Sequence, residues 1–168
     1  MITWTQVERD FDYDGGLRDI YVLAATLADW KAVCGVLKKR LNFEFSIDGE
    51  PASFPEDVAQ VFTMRSTNTP MACVKLGTVR AVFHFFSEEE IECDIDPREV
   101  KSQVELDAVL EFLQEIGDTV GKPVLLTPEN FRESEILRYD PSPKTFKYTE
   151  AKEANQIITA QRASRVAD

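Results

Sequence analysis

Three strand-like runs succeed one another between Met71 and Ile95. They are Met71–Leu76, Val79–Phe86 and Ile91–Ile95, separated only by short turns around Gly77 and Glu88-Glu89. A parallel pair needs a crossover of a dozen or more residues, so connections this short allow only antiparallel neighbours. This meander commits the middle of the chain to an antiparallel sheet, whose exposed apolar face something else must cover. At 168 residues with 43% apolar side chains, the chain is long enough to supply that cover within one domain.

Helical periodicity supplies it. Thr26 stands as an N-cap three residues before Asp29, and Leu27, Trp30, Val33, Cys34, Leu37 and Leu41 follow at helical spacing. Ser102-Gln103-Val104-Glu105 matches a capping box. Behind it Leu106, Val109, Leu110, Leu113, Ile116 and Val120 form one stripe, stopped by Gly121 and Pro123. A second box, Ser53-Phe54-Pro55-Glu56, predicts a short helix through Phe62. Alternation predicts further strands at Leu41–Ile47 and Pro123–Leu126, and a hairpin joining Ile136–Tyr139 to Thr145–Tyr148. Trp4–Phe11 and Leu17–Ala25 flank Gly15-Gly16 and predict an N-terminal β-hairpin.

The expected class is α+β: a mainly antiparallel sheet with two substantial helices and one short helix packed largely on one face, plus a C-terminal helical appendage. Residues 1–149 are expected to form the domain. Residues 150–168 lack glycine and proline and have few apolar positions, so as a helix they need another surface, on this domain or on a second copy in a homodimer.

Composition excludes several chemistries. The formal charge is −11, which disfavours binding to a nucleic-acid backbone. The first ten residues carry neither a basic start nor a continuous apolar run, and no stretch reaches membrane-spanning length. A cytoplasmic protein with no membrane partner is therefore expected. Cys34, Cys73 and Cys93 are odd in number and lack CxxC spacing, which predicts reduced core thiols. His84 is the only histidine, so no two-histidine metal site exists within one chain. GxSxG, Walker A and GxGxxG signatures are absent, and no cofactor is expected.

Three constellations carry candidate chemistry. Asp10-Phe11-Asp12-Tyr13-Asp14-Gly15 copies the first half of a calcium loop, making Asp10, Asp12 and Asp14 metal-ligand candidates. The twelfth position is Tyr21 in place of a bidentate glutamate, and an acidic hairpin turn accounts for the same residues. With Ser87 opposite Glu90, uniform pairing sets His84 against Cys93, an imidazole–thiol pair to weigh against a plain core histidine and cysteine. Glu88, Glu89, Glu90, Glu92, Asp94 and Asp96 are the densest charge cluster. Alternation puts Glu90, Glu92, Asp94 and Asp96 on one face, opposite Ile91, Cys93 and Ile95.

Phe54-Pro55-Glu56-Asp57-Val58-Ala59-Gln60-Val61-Phe62 is similar to the Leu-Pro-led helix of SUKH-type bacterial immunity proteins. The similarity is confined to that segment, so no fold and no residue role is carried over from it. The expected function is that of a small acidic interaction module, an inhibitor or immunity-type partner of a basic protein, bound through Glu88–Asp96. The alternative is a carboxylate-based enzyme or divalent-metal binder. A cleft joining an acidic cluster to Arg65 or Arg80 would favour the enzyme, and a flat acidic face would favour the partner.

Overall fold

The computed structural model describes residues 1–150. The meander forms as β4 (Pro70–Leu76), β5 (Val79–Ser87) and β6 (Glu90–Ile95). Alternation buries Ala72, Val74 and Leu76, then Val79, Ala81, Phe83 and Phe85, then Ile91, Cys93 and Ile95 on a single face. Six more strands extend it: β1 (Arg18–Leu23), β2 (Glu44–Ile47), β3 (Glu50–Pro51), β7 (Val124–Pro128), β8 (Leu137–Asp140) and β9 (Thr145–Tyr148). All pairings are antiparallel, in the order β3-β2-β4-β5-β6-β1-β7-β8-β9. The fold is α+β.

The helices α1 (Trp4–Val7), α2 (Leu27–Leu37), α3 (Val58–Met64) and α4 (Gln103–Val120) supply the cover. The Trp30 ring of α2 stacks on Phe85 at 4.9 Å and meets Phe62 of α3 edge-on at 5.4 Å, while Phe112 of α4 meets Phe83 at 6.0 Å. Trp30 Nε1 donates to the Ser87 carbonyl at 3.1 Å, so its one polar atom is satisfied although the side chain is buried. Both long helices are capped at the residues their sequences imply, Thr26 with the reciprocal bonds of a box, and Ser102 without them, its hydroxyl donating to the Glu105 carboxylate at 2.7 Å. Thr26 Oγ1 accepts from Asp29 N at 3.2 Å while Asp29 Oδ2 accepts from Thr26 N at 2.8 Å, and Ser102 Oγ accepts from Val104 N at 3.2 Å. Gly121 ends α4 in the left-handed region at φ +65°.

The N-terminal hairpin does not form. Trp4–Val7 is one helical turn, continued as a 3-10 turn over Glu8–Phe11. Thr3 and Gln6 have the spacing of a capping box, and Gln6 Oε1 accepts from Thr3 N at 2.8 Å. Trp4 N is tied to Gln103 Oε1 of α4 at 2.6 Å, so the turn docks on that helix. Four α-helices thus stand among the described residues where three were expected. Smaller shifts have local causes. Leu41 lies beyond the end of α2 and is fully exposed, and β2 starts only at Glu44. Asp57 rather than Ser53 caps α3, accepting from Ala59 N at 3.1 Å. The expected helical appendage and homodimer contact fall, beyond Glu150, outside the described residues.

Candidate functional site

The face of the sheet away from the helices is not simply solvated. Directly paired residues share a face, so register defines its rows. Tyr21, Glu92, His84 and Met71 are successive partners across β1, β6, β5 and β4, and Asp19, Asp94, Val82 and Cys73 make the next row. A bulge between His84 and Ser87 creates this arrangement: Ser87 pairs with Glu90 as expected, but His84 then pairs with Glu92 and Phe83 with Cys93. His84 and Cys93 therefore lie on opposite faces, which removes the imidazole–thiol pair. Cys93 is fully buried and burial pushes its thiol well up; burial likewise pushes Cys34 up to about 12.

The connection between β7 and β8 folds over part of this face. Asn130 N donates to Asp19 Oδ2 at 2.7 Å, and Tyr21 OH donates to the same oxygen at 2.7 Å. Arg132 lies over the Tyr21 ring at 5.2 Å and pairs with Glu90 Oε2 at 2.6 Å. Asp19 and Tyr21 are consequently 4% and 2% exposed, although the helix-side core lies beyond them. Beside this cover a cleft of about 530 Å³ opens between Tyr21, Phe86, Glu89, Glu90, Glu92 and Arg132. Phe86 stands half exposed at its rim, with Arg65 over the ring at 4.6 Å and the His84 imidazole stacked parallel at 5.1 Å.

His84 Nε2 meets Asp94 Oδ2 at 2.6 Å. That hydrogen bond holds the imidazole above its ordinary value despite burial, and Glu92 and Asp19 add to the effect. Burial raises Asp19, Glu90 and Glu92; the mutual repulsion of the carboxylates adds to the rise at Asp19 and Glu92. Four carboxylates, Asp19, Glu90, Glu92 and Asp94, therefore cluster with two cationic groups, His84 and Arg132, while Glu44, Lys75 and Arg80 lie farther out on the same face.

Not every member of the sequence cluster joins them. Glu89 reaches the cleft, but Glu88 is exposed in the turn. Asp96 has left the strand: it caps the short turn Pro97–Glu99, accepting from Arg98 N at 2.9 Å and pairing with the Arg98 guanidinium at 2.7 Å. Asp19, Tyr21, Asn130 and Arg132 had no sequence motif. The period-two run Asp19-Tyr21-Leu23 was the available signal for the first two.

The calcium-loop candidates are separated. Arg18, 3% exposed, points into their loop and donates to the carbonyls of Asp10 at 2.6 Å, Asp12 at 2.9 Å and Leu17 at 3.0 Å, and to Asp14 Oδ1 at 3.1 Å. The Asp10 carboxylate turns away to accept from Tyr148 OH at 2.8 Å, while Asp12 stays exposed. The cation this loop encloses is the chain's own guanidinium. Among the described residues, no group of three or more His, Cys, Asp or Glu side chains is placed to hold a metal ion. No described helix is long and apolar enough to cross a membrane.

Comparison with known proteins adds no identity: no family model, no curated protein and no solved structure matches the chain.

Proposed function

We propose that the protein is an acidic interaction module that binds a basic partner protein through the open face of its sheet. A Lys or Arg side chain of the partner enters the cleft between Phe86, Glu89 and Glu92. The supporting observation is the imbalance around the cleft: four partly desolvated carboxylates, of which Arg132 pairs with one and His84 with another, beside an opening with an aromatic rim. A cationic side chain brings the missing charge, and its aliphatic stem covers the ring. The low dielectric at such a site strengthens the attraction over that of a fully exposed pair.

Hexa-arginine serves as a probe, its binding followed by calorimetry and by the NMR signals of Tyr21 and Phe86. Neutralising the cleft with E89Q/E92Q should weaken binding about tenfold, consistent with two lost charge contacts. Neutralising distant exposed carboxylates with E56Q/E111Q should change it less than twofold. Equal losses in the two variants would reduce the binding to bulk charge and reject the site.

The carboxylate-enzyme alternative draws on one specific observation. His84, Asp94 and Glu92 have the composition of a proton-transfer group beside a cleft, and through Phe86 that cleft adjoins Arg65, one of the two arginines whose junction with an acidic cluster favours an enzyme. Turnover of a substrate that is abolished by H84N would favour it.

A further inference from the structure

Among the described residues, His84 is the cation in direct contact with the inner carboxylates that can lose its charge near neutral pH. From β6 it meets Asp94 at 2.6 Å and has Glu92 as its direct cross-strand partner. From β1, Asp19 and Tyr21 lie in the same two rows, and Tyr21 already shares its proton with Asp19. From β4 it faces uncharged Met71, with Cys73 beside it, and along β5 its ring lies against Phe86. The two arginines nearby are otherwise engaged: Arg132 with Glu90 and Tyr21, Arg65 with the Phe86 ring. On the same face Arg80 of β5 is bonded to Glu99 and Lys75 of β4 lies opposite Arg80, and Arg132 lowers Glu92 only behind the burial and repulsion that raise it, so no other positive group takes the place of the imidazole at Asp94.

We infer that His84 is a pH-operated counter-charge for the open face: while protonated it offsets Asp94 and Glu92 and so competes with a cation in the cleft for Glu92, and on losing its proton it leaves Glu92 to that cation. This inference rests on the partner-binding proposal above. A partner's guanidinium and the imidazole proton then oppose each other, so binding strengthens as pH rises through the histidine's titration. Linkage requires the converse as well: bound cation must lower the pH at which His84 titrates. Phe86 connects the two events physically, because its ring is at once the rim of the cleft and the stacking partner of the imidazole.

As the sole histidine, His84 gives one unambiguous imidazole signal in a proton–carbon NMR titration of the full chain. The wild type should titrate above the ordinary 6.5 and D94N should titrate lower, while hexa-arginine should shift the wild-type midpoint downward. N-acetylated, C-amidated hexa-arginine, whose own charge is constant across this range, should bind about threefold more tightly at pH 8 than at pH 5.5, the scale of one partly screened charge. H84N should retain binding and lose most of that pH dependence. An imidazole titrating below 6.5, or one indifferent to D94N, overturns the counter-charge role whatever the peptide does. Intact binding with the same pH dependence in H84N overturns the inference alone. Failure of folded wild type to bind the peptide at either pH overturns the partner-binding proposal and the competition together.

Discussion

Gly117 shows how one side chain position sets the distance between two layers. A Cβ placed there would stand 2.6 Å and 2.9 Å from carbons of the buried Tyr139 ring and 3.2 Å from Val124. Glycine in a helix interior ordinarily costs about 1 kcal/mol relative to alanine. At Gly117 the close approach of α4 to β7 and β8 reverses that preference. G117A should lower unfolding free energy by about 2 kcal/mol in urea, the usual scale of overpacking. Gly35 in α2 has nothing within 4 Å of the same atom, so G35A should stabilise by about 0.5–1 kcal/mol. Opposite signs from one chemical change would verify the packing; equal signs would refute it. At the same scale, His84 and Cys93 illustrate a signal that was legible. Buried positions on β5 and on β6 are both odd-numbered, and directly opposed residues must share a face. Facing numbers must therefore sum to an even total, which uniform pairing from Ser87–Glu90 violates, so a bulge was required.

Among the elements, the segment before β1 departs furthest from its local pattern. Its strand-like apolar residues, Trp4, Val7 and Phe11, are equally compatible with a helical turn, which is held by Gln6 on Thr3 N and by Gln103 of α4 on Trp4 N. What holds the following loop is a buried arginine supplied with carbonyl acceptors. R18A should strand those acceptors and destabilise the fold by about 3 kcal/mol, measurable as a lowered urea midpoint. Millimolar calcium should leave the midpoint of the wild type unchanged, because Asp10 and Asp14 are already committed to Tyr148 and Arg18. A calcium-dependent rise would restore the metal-loop reading.

For the molecule as a whole, pH should act with one sign across the open face. His84 is held above its ordinary 6.5, and its stabilisation is complete below that value and lost as pH rises through the raised one. Asp19, Glu90 and Glu92 are raised by burial, so their protonated forms favour the fold and stability likewise falls as pH rises through their titrations. Asp29, Asp96 and Asp140 lie on the other side of the balance. Their lowered values, opposed by burial but produced by Lys122, Arg98 and Arg138 with Lys147, stabilise above 3.8 and fail as pH falls through the folded value. Thermal stability should therefore peak on the acid side of 6.5 and decline as pH rises from there towards the alkaline range. H84N/E92Q should flatten that decline. A midpoint constant from pH 5.5 to 8.5 in the wild type would contradict the charge arrangement described.

The sequence by itself determined the meander, both long helices with their caps, and the acidic face of β6, because these follow from alternation, helical spacing and capping chemistry within a few residues. Tertiary structure decided the rest. Insertion of β1 between β6 and β7 put Asp19 and Tyr21 beside Glu92 and Asp94, and the β7–β8 connection brought Arg132 over them. Those neighbours come from distant parts of the chain, and no local preference specifies which strand pairs with which. Desolvation is collective too: Asp19, Glu90 and Glu92 are ordinary carboxylates on an isolated strand and are raised only when the sheet and its covering loop remove water together.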